Sequence, residues 1–146
     1  MQVDFYQLAG SPVDRVLAQI AAKVIDGGGR LLVVTGDDAQ ARTLDDALWL
    51  GVDGFLPHGI ATVDDDGADQ PVLIAGECAP ANHARNVALV DGRWREDALD
   101  FERAFHFFDA ATVDAARAAW RALAHEEDVT RNFWSQDEAG RWRKTA

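Results

Sequence analysis

A single cysteine, Cys78, leaves no route to an internal disulfide framework and suits a reducing compartment. Methionine and tyrosine also occur once each. No apolar run approaches the ~18 residues that a membrane-spanning helix needs. The opening Met1-Gln2-Val3-Asp4 has no basic stretch ahead of an apolar one, so no secretory leader is expected. A cytoplasmic protein without membrane attachment is the expectation. Positive charge is scarce: 14 Lys and Arg stand against 25 Asp and Glu, a net charge of -11. Residues 1–102 hold 7 Lys/Arg against 18 Asp/Glu, whereas residues 103–146 hold 7 of each. Nucleic-acid affinity rests on concentrated positive charge, so the first 102 residues repel a duplex and DNA is expected to be reached only indirectly. The neutral C-terminal segment can still attract a small anionic partner through a local patch.

What the chain does contain is a globular composition, 48% hydrophobic and 27% charged, in a length that fits one domain. No repeat or linker divides residues 1–146. A short, loosely alternating stretch, Val3 to Leu8, reads as a strand. Gly10-Ser11-Pro12 breaks it, with Ser11 placed to cap a helix and Pro12 at its first position. Val13, Val16, Leu17, Ile20, Ala21 and Val24 follow at helical spacing until Gly27-Gly28-Gly29. Leu31 to Val34 is continuously apolar, as in a strand buried on both faces. A second helix follows Thr35-Gly36-Asp37, with Ala41, Leu44, Ala47 and Leu48 on one face. Residues 64–70 form an acidic loop, and 72–75 and 87–90 read as further buried strands. From Leu99 the pattern turns helical, first through Phe101, Phe105 and Phe108, then from Val113 through Leu123. Asn132 to Ala146 reads as an extended tail or short hairpin. The order β-α-β-α-β-β-α-α predicts an α/β sandwich, a mostly parallel sheet flanked by helices.

Catalytic chemistry finds little support. The triple glycine follows a helix and precedes a strand, the reverse of a phosphate loop, and reads as a helix C-cap. The turn at Gly36 lies after a strand, where a nucleotide site would begin, but Asp37 and Asp38 repel phosphate. Cys78 and His83 are five apart with no third group to orient them. His58, His83 and Asp64-Asp65-Asp66 match no metal-ligand spacing. No catalytic residue, metal or cofactor is expected. A small nucleotide-binding protein or enzyme using the Gly36 turn is the alternative.

Two candidate surfaces remain. Trp49 sits about 100° around its helix from Leu48 and has Phe55 and Pro57 shortly after it. It either covers the sheet edge or anchors a partner, a role in which Trp is enriched. On the last helix Arg117 and Arg121 are four apart, with Trp120 one turn from Arg117. That set is either a solvated basic face, with Glu126 and Glu127 able to neutralise Arg121, or a receptor for a carboxylate beside an apolar group.

The segments Phe5-Tyr6, Leu44-Asp45-Asp46-Ala47-Leu48-Trp49, Phe55-Leu56-Pro57-His58, Gln70-Pro71-Val72, Leu89-Val90-Asp91-Gly92 and Phe101-Glu102-Arg103-Ala104-Phe105 resemble the chi subunit of bacterial DNA polymerase III, a clamp-loader accessory family. So does the ending Trp134 to Trp142. The resemblance implies a Rossmann-like fold with no intact nucleotide site and no enzymatic activity. It implies that Arg117, Trp120 and Arg121 receive the acidic, phenylalanine-ending tail of single-stranded DNA-binding protein. It also implies that Trp49, Phe55 and Pro57 dock the psi subunit or a helicase-like partner.

Overall fold

Residues 1–50, 56–62 and 64–146 are described by the computed structural model. The apolar runs become the interior strands of one eight-stranded sheet. In chain order the elements are β1 (Gln2–Gln7), α1 (Val13–Asp26), β2 (Leu31–Val34), α2 (Asp38–Leu50), β3 (His58–Ile60), β4 (Val72–Ala75) and β5 (Asn86–Leu89). A short 3-10 turn, Glu96–Asp100, precedes β6 (Arg103–Phe108), α3 (Val113–Leu123), β7 (Thr130–Gln136) and β8 (Trp142–Lys144). Strand order is β3-β4-β2-β5-β6-β1-β7-β8, parallel throughout except for the β7–β8 pair. This is the α/β, mostly parallel architecture that the patterning predicts and the Rossmann-like fold that the resemblance implies.

Both sheet faces are covered, which is why β2 is apolar at every position. Leu31 and Val33 pack beneath α1 and α2 with Leu17, Ile20, Leu44 and Leu48. Leu32 and Val34 face the other way, in the cluster that includes Ala116, Ala119 and Leu123 of α3. In α1 the helix ends at Gly27, whose N–H donates to Lys23 O at 3.1 Å, and Gly28 takes a φ of 81°. The triple glycine is therefore the expected C-terminal stop.

Several expectations need correction. Residues 101–108 are not helical: β6 occupies 103–108, between β5 and β1. Its interior place buries Ala104 to Phe108 on both faces, and the four- and three-residue steps between Phe101, Phe105 and Phe108 mimic a helical stripe. Ser11 does not cap α1, which makes no side-chain cap hydrogen bond, and Pro12 stands just before the helix in extended conformation. The Ser11 hydroxyl instead accepts from Gln136 Nε2 at 3.0 Å. The short edge strand β3 is an addition to the expected order. So is the sheet role of β7, which pairs with β1 through Gln2↔Thr130 to Gln7↔Ser135.

Asp4 ties this half of the sheet together. It is fully buried on β1 and accepts from Gln2 Nε2 and Arg103 Nε, each at 2.9 Å, from Asn132 Nδ2 at 3.0 Å and from Trp134 Nε1 at 3.1 Å. Arg103 adds a second contact at 2.9 Å. A buried carboxylate is tolerable only when its oxygens are satisfied in this way.

Candidate functional site

The buried stripe of α3 is Ala116, Ala119 and Leu123, so Arg117 and Arg121 emerge one turn apart on the solvent side. Trp120 lies half-buried between the two regimes. Its indole meets Phe5 edge-to-face at 5.3 Å and Phe133 at 5.6 Å. Among the described residues no ion pair engages Arg117 or Arg121, and neither Glu126 nor Glu127 forms one with Arg121.

A third cation joins them that the spacing along α3 does not reveal. Arg131, on β7, places its guanidinium 4.1 Å above the Trp120 ring and donates to the Trp120 carbonyl. It reaches that position because β7 lies beside β1 in register Val3↔Arg131 and Phe5↔Phe133. Nothing in the sequence signals it beyond its place in the charge-balanced C-terminal segment. Two exposed guanidiniums, a third stacked on the indole, and the rings of Phe5 and Phe133 beneath make a surface that can hold carboxylates beside an apolar group.

At the end of α2 the geometry separates neighbours as the helical angle predicts. Leu48 is 1% exposed, Trp49 51% and Leu50 87%. Trp49 and Leu50 are the exposed large hydrophobic side chains among the described residues. The Trp49 ring stands 4.2 Å from the His58 imidazole. His58 is buried, with Nδ1 2.7 Å from Leu56 O, and Nε2 3.1 Å from Asp45 O and 3.2 Å from the Asp45 carboxylate. It braces β3 against α2 through both ring nitrogens, and no metal-ligating cluster occurs among the described residues. Pro57 is half-buried next to it. Phe55 lies outside the described residues.

A crevice of about 730 Å³ opens at the carboxyl ends of β1, β2, β5 and β6, the position where open α/β sheets bind ligands. Asp37, Asp91 and Asp109 line it, with no lysine or arginine among the lining residues. The Gly36 N–H is taken by Gln40 Oε1 at 2.9 Å, and Asp37 Oδ1 accepts from the Gln40 N–H at 2.7 Å. A Cβ on Gly36 would stand 2.9 Å from the Asp91 carboxylate. Asp91 is clamped by Arg95 through two contacts of 2.8 Å. Burial is the largest single influence on the Asp91 carboxyl and pushes it up, but the Arg95 hydrogen bonds, the Arg93 N–H and the charges of both arginines together outweigh it and hold it below its ordinary value. A charged carboxylate wall, with the Gly36 and Gln40 N–H groups already bonded, disfavours phosphate.

Cys78 is half-buried, and burial, with Asp97 beside it, pushes its thiol up to about 11. It is therefore protonated at neutral pH and a poor nucleophile. Among the described residues no hydrogen bond joins it to His83.

No described helix is long and apolar enough to cross a membrane. In overall shape the chain is similar to the C-terminal domain of S. cerevisiae Dbp5 solved with Gle1 and IP6. The TM-score is 0.52 at 14% identity, over 91% of this chain and 90% of that one, a likeness of fold alone. The DNA polymerase III subunit chi of Escherichia coli K12 is 32% identical over 96 residues, 65% of this chain and 63% of that protein's length. The profile of the family described as DNA polymerase III chi subunit, HolC, matches residues 1–129. On that match the chain belongs to the chi subunit family of DNA polymerase III.

Proposed function

We propose that this protein is a non-catalytic adaptor of the replication machinery in the cytoplasm, joining the DNA polymerase III clamp loader to single-stranded DNA-binding protein. The α3 face is the receptor for that protein's acidic C-terminal tail. One observation carries the reading: Arg117 and Arg121 are exposed on the same helix as Trp120 with no ion pair among the described residues, and the Trp120 ring is backed by Phe5, Phe133 and Arg131. Tail carboxylates meet the guanidiniums while a phenyl ring lies against the indole. A short linear segment buries little area, so the affinity is of micromolar order. It weakens as salt rises.

Calorimetric titration with an acidic peptide ending in a phenylalanine with a free carboxylate tests this. Saturable binding is expected, and Arg117→Glu/Arg121→Glu is expected to abolish it without unfolding the protein. No binding by folded wild type at low salt overturns the tail-receptor role.

The Trp49 face is the second docking surface, for the psi subunit or a helicase-like partner, and DNA is reached only through partners. Adjacent exposure of Trp49 and Leu50 beside half-buried Pro57 supports this. Trp49→Ala is expected to weaken clamp-loader association while peptide binding on α3 persists. The alternative, nucleotide binding at the Gly36 turn, requires thermal stabilisation by nucleotides. The carboxylate-lined crevice argues against it.

A further inference from the structure

On the sheet face that carries α1 and α2, a groove runs beside α1 where Trp134 of β7 and Trp142 of β8 stand. Three cavities of about 210, 330 and 210 Å³ make it up. They adjoin in a row: the two of about 210 Å³ share Val16, Gln19 and Trp142, and the second of these shares Tyr6, Ile20 and Lys23 with the one of about 330 Å³. Its floor is aromatic: Tyr6 stacks on Trp134 at 6.3 Å and meets Trp142 edge-on at 5.1 Å, with Phe105 at 6.3 Å beyond. One wall is α1, whose Val16, Ile20 and Val24 line the base. Arg15, Gln19 and Lys23, each one position earlier, form an exposed rim.

The charge of this groove is opposite to that of the molecule. The chain has 25 acidic residues and a net charge of -11, yet no aspartate or glutamate lines any of the three cavities. Arg15, Lys23 and Arg103 do. Arg103 is already held by Asp4, so the uncommitted charge is that of Arg15 and Lys23. Neither takes part in an ion pair among the described residues. They are eight positions apart on the helix, about 12 Å along the axis. Four residues of extended chain at ~3.3 Å each cover that distance and bring side chains i and i+4 to the same side.

We infer that this groove is a binding site for an extended protein segment that alternates acidic with apolar or aromatic side chains. Its carboxylates meet Arg15 and Lys23, and its apolar side chains lie on the Tyr6, Trp134 and Trp142 floor. Two uncommitted cations satisfy a short peptide, whereas a nucleic-acid strand needs denser positive charge and is repelled by the rest of the molecule. The groove is on the opposite sheet face from the α3 surface, so the two sites are independent.

The test uses the full 146-residue chain, labelled with 15N, and a blocked probe peptide, acetyl-Glu-Phe-Glu-Phe-Glu-Leu-amide. The amide removes the free carboxylate that the α3 surface is proposed to take. Saturable shifts of the Trp134 and Trp142 indole N–H signals are expected, with those of Trp49 and Trp120 unmoved. Arg15→Glu/Lys23→Glu, on an exposed helix face, is expected to weaken binding by about tenfold or more. Arg117→Glu/Arg121→Glu is expected to leave it unchanged. No saturable shift at about 1 mM peptide, or equal binding by the Arg15→Glu/Lys23→Glu protein, overturns the inference. A thymidine oligonucleotide run in parallel gives the remaining outcome: if it moves those indole signals and the peptide does not, the groove is a nucleic-acid site and the peptide assignment falls.

Discussion

His106 makes stability depend on acid in a calculable way. It lies on β6, fully buried, and neither ring nitrogen has a hydrogen-bond partner among the described residues. Its neighbours are aromatic: Phe5 at 5.3 Å and Trp94 at 5.7 Å, both edge-on, and Phe108 at 6.1 Å. Burial pushes its pKa down from 6.5 to about 4, with Asp91 pulling it up and Arg95 pulling it further down. The folded state therefore binds the proton less well than the unfolded state. Stability from this group is fully present above the unfolded value near 6.5 and is lost as pH falls towards 4. At about 1.36 kcal/mol per pKa unit, the whole loss is about 3 kcal/mol, of which about 2 kcal/mol has gone by about pH 5. Other carboxylates and histidines titrate too, so the measurement is a difference. Urea unfolding of wild type and His106→Leu, followed by tryptophan fluorescence, is compared at neutral and mildly acid pH. The leucine variant cannot take the proton, and the gap between the proteins is expected to move in its favour by about 2 kcal/mol between neutral pH and about pH 5. A gap that stays constant with pH refutes the buried, neutral histidine.

Asp4→Asn removes the charge that Arg103 faces and turns an amide N–H₂ toward donors from Asn132 and Trp134; chemical denaturation is expected to show a loss of about 3 kcal/mol. Gly67 (φ +72°) and Gly140 (φ +81°) both occupy left-handed conformations, but only at Gly67 would a Cβ run into a side chain, that of buried Leu73. Gly140→Ala is thus expected to cost about 1 kcal/mol and Gly67→Ala at least about 2 kcal/mol in the same assay. Trp120→Ala, which strips the contacts to Phe5 and Phe133, is expected to cost about 2 kcal/mol. Arg131→Ala, which loses one cation over a ring and the hydrogen bond to the Trp120 carbonyl, should cost about 1 kcal/mol; equal losses from the two would refute this division of roles.

Local physics made much of this protein legible in its sequence. Val16, Leu17, Ile20 and Ala21 repeat at helical spacing and are buried in α1, and Gly27 stops that helix. The short apolar runs at 31–34 and 72–75 became strands with both faces covered. The helical angle alone separated Leu48 from Trp49, and Arg117 and Arg121 from the buried stripe of α3, because a regular helix fixes which side chains share a face. Tertiary structure decided what depends on neighbours distant in the chain. Phe101, Phe105 and Phe108 fit a helical period, and only the place of β6 between β5 and β1 makes that segment a strand, since a strand buried on both sides loses its two-residue alternation. The polar C-terminal segment became sheet because β1 offered it an open edge, with Asp4 waiting for Asn132 and Trp134. That same pairing carried Arg131 onto Trp120 and set Trp134 and Trp142 beside α1. A residue's face can be read from its near neighbours along the chain, but its partner across a sheet follows from strand order, and strand order is set by how the whole core packs.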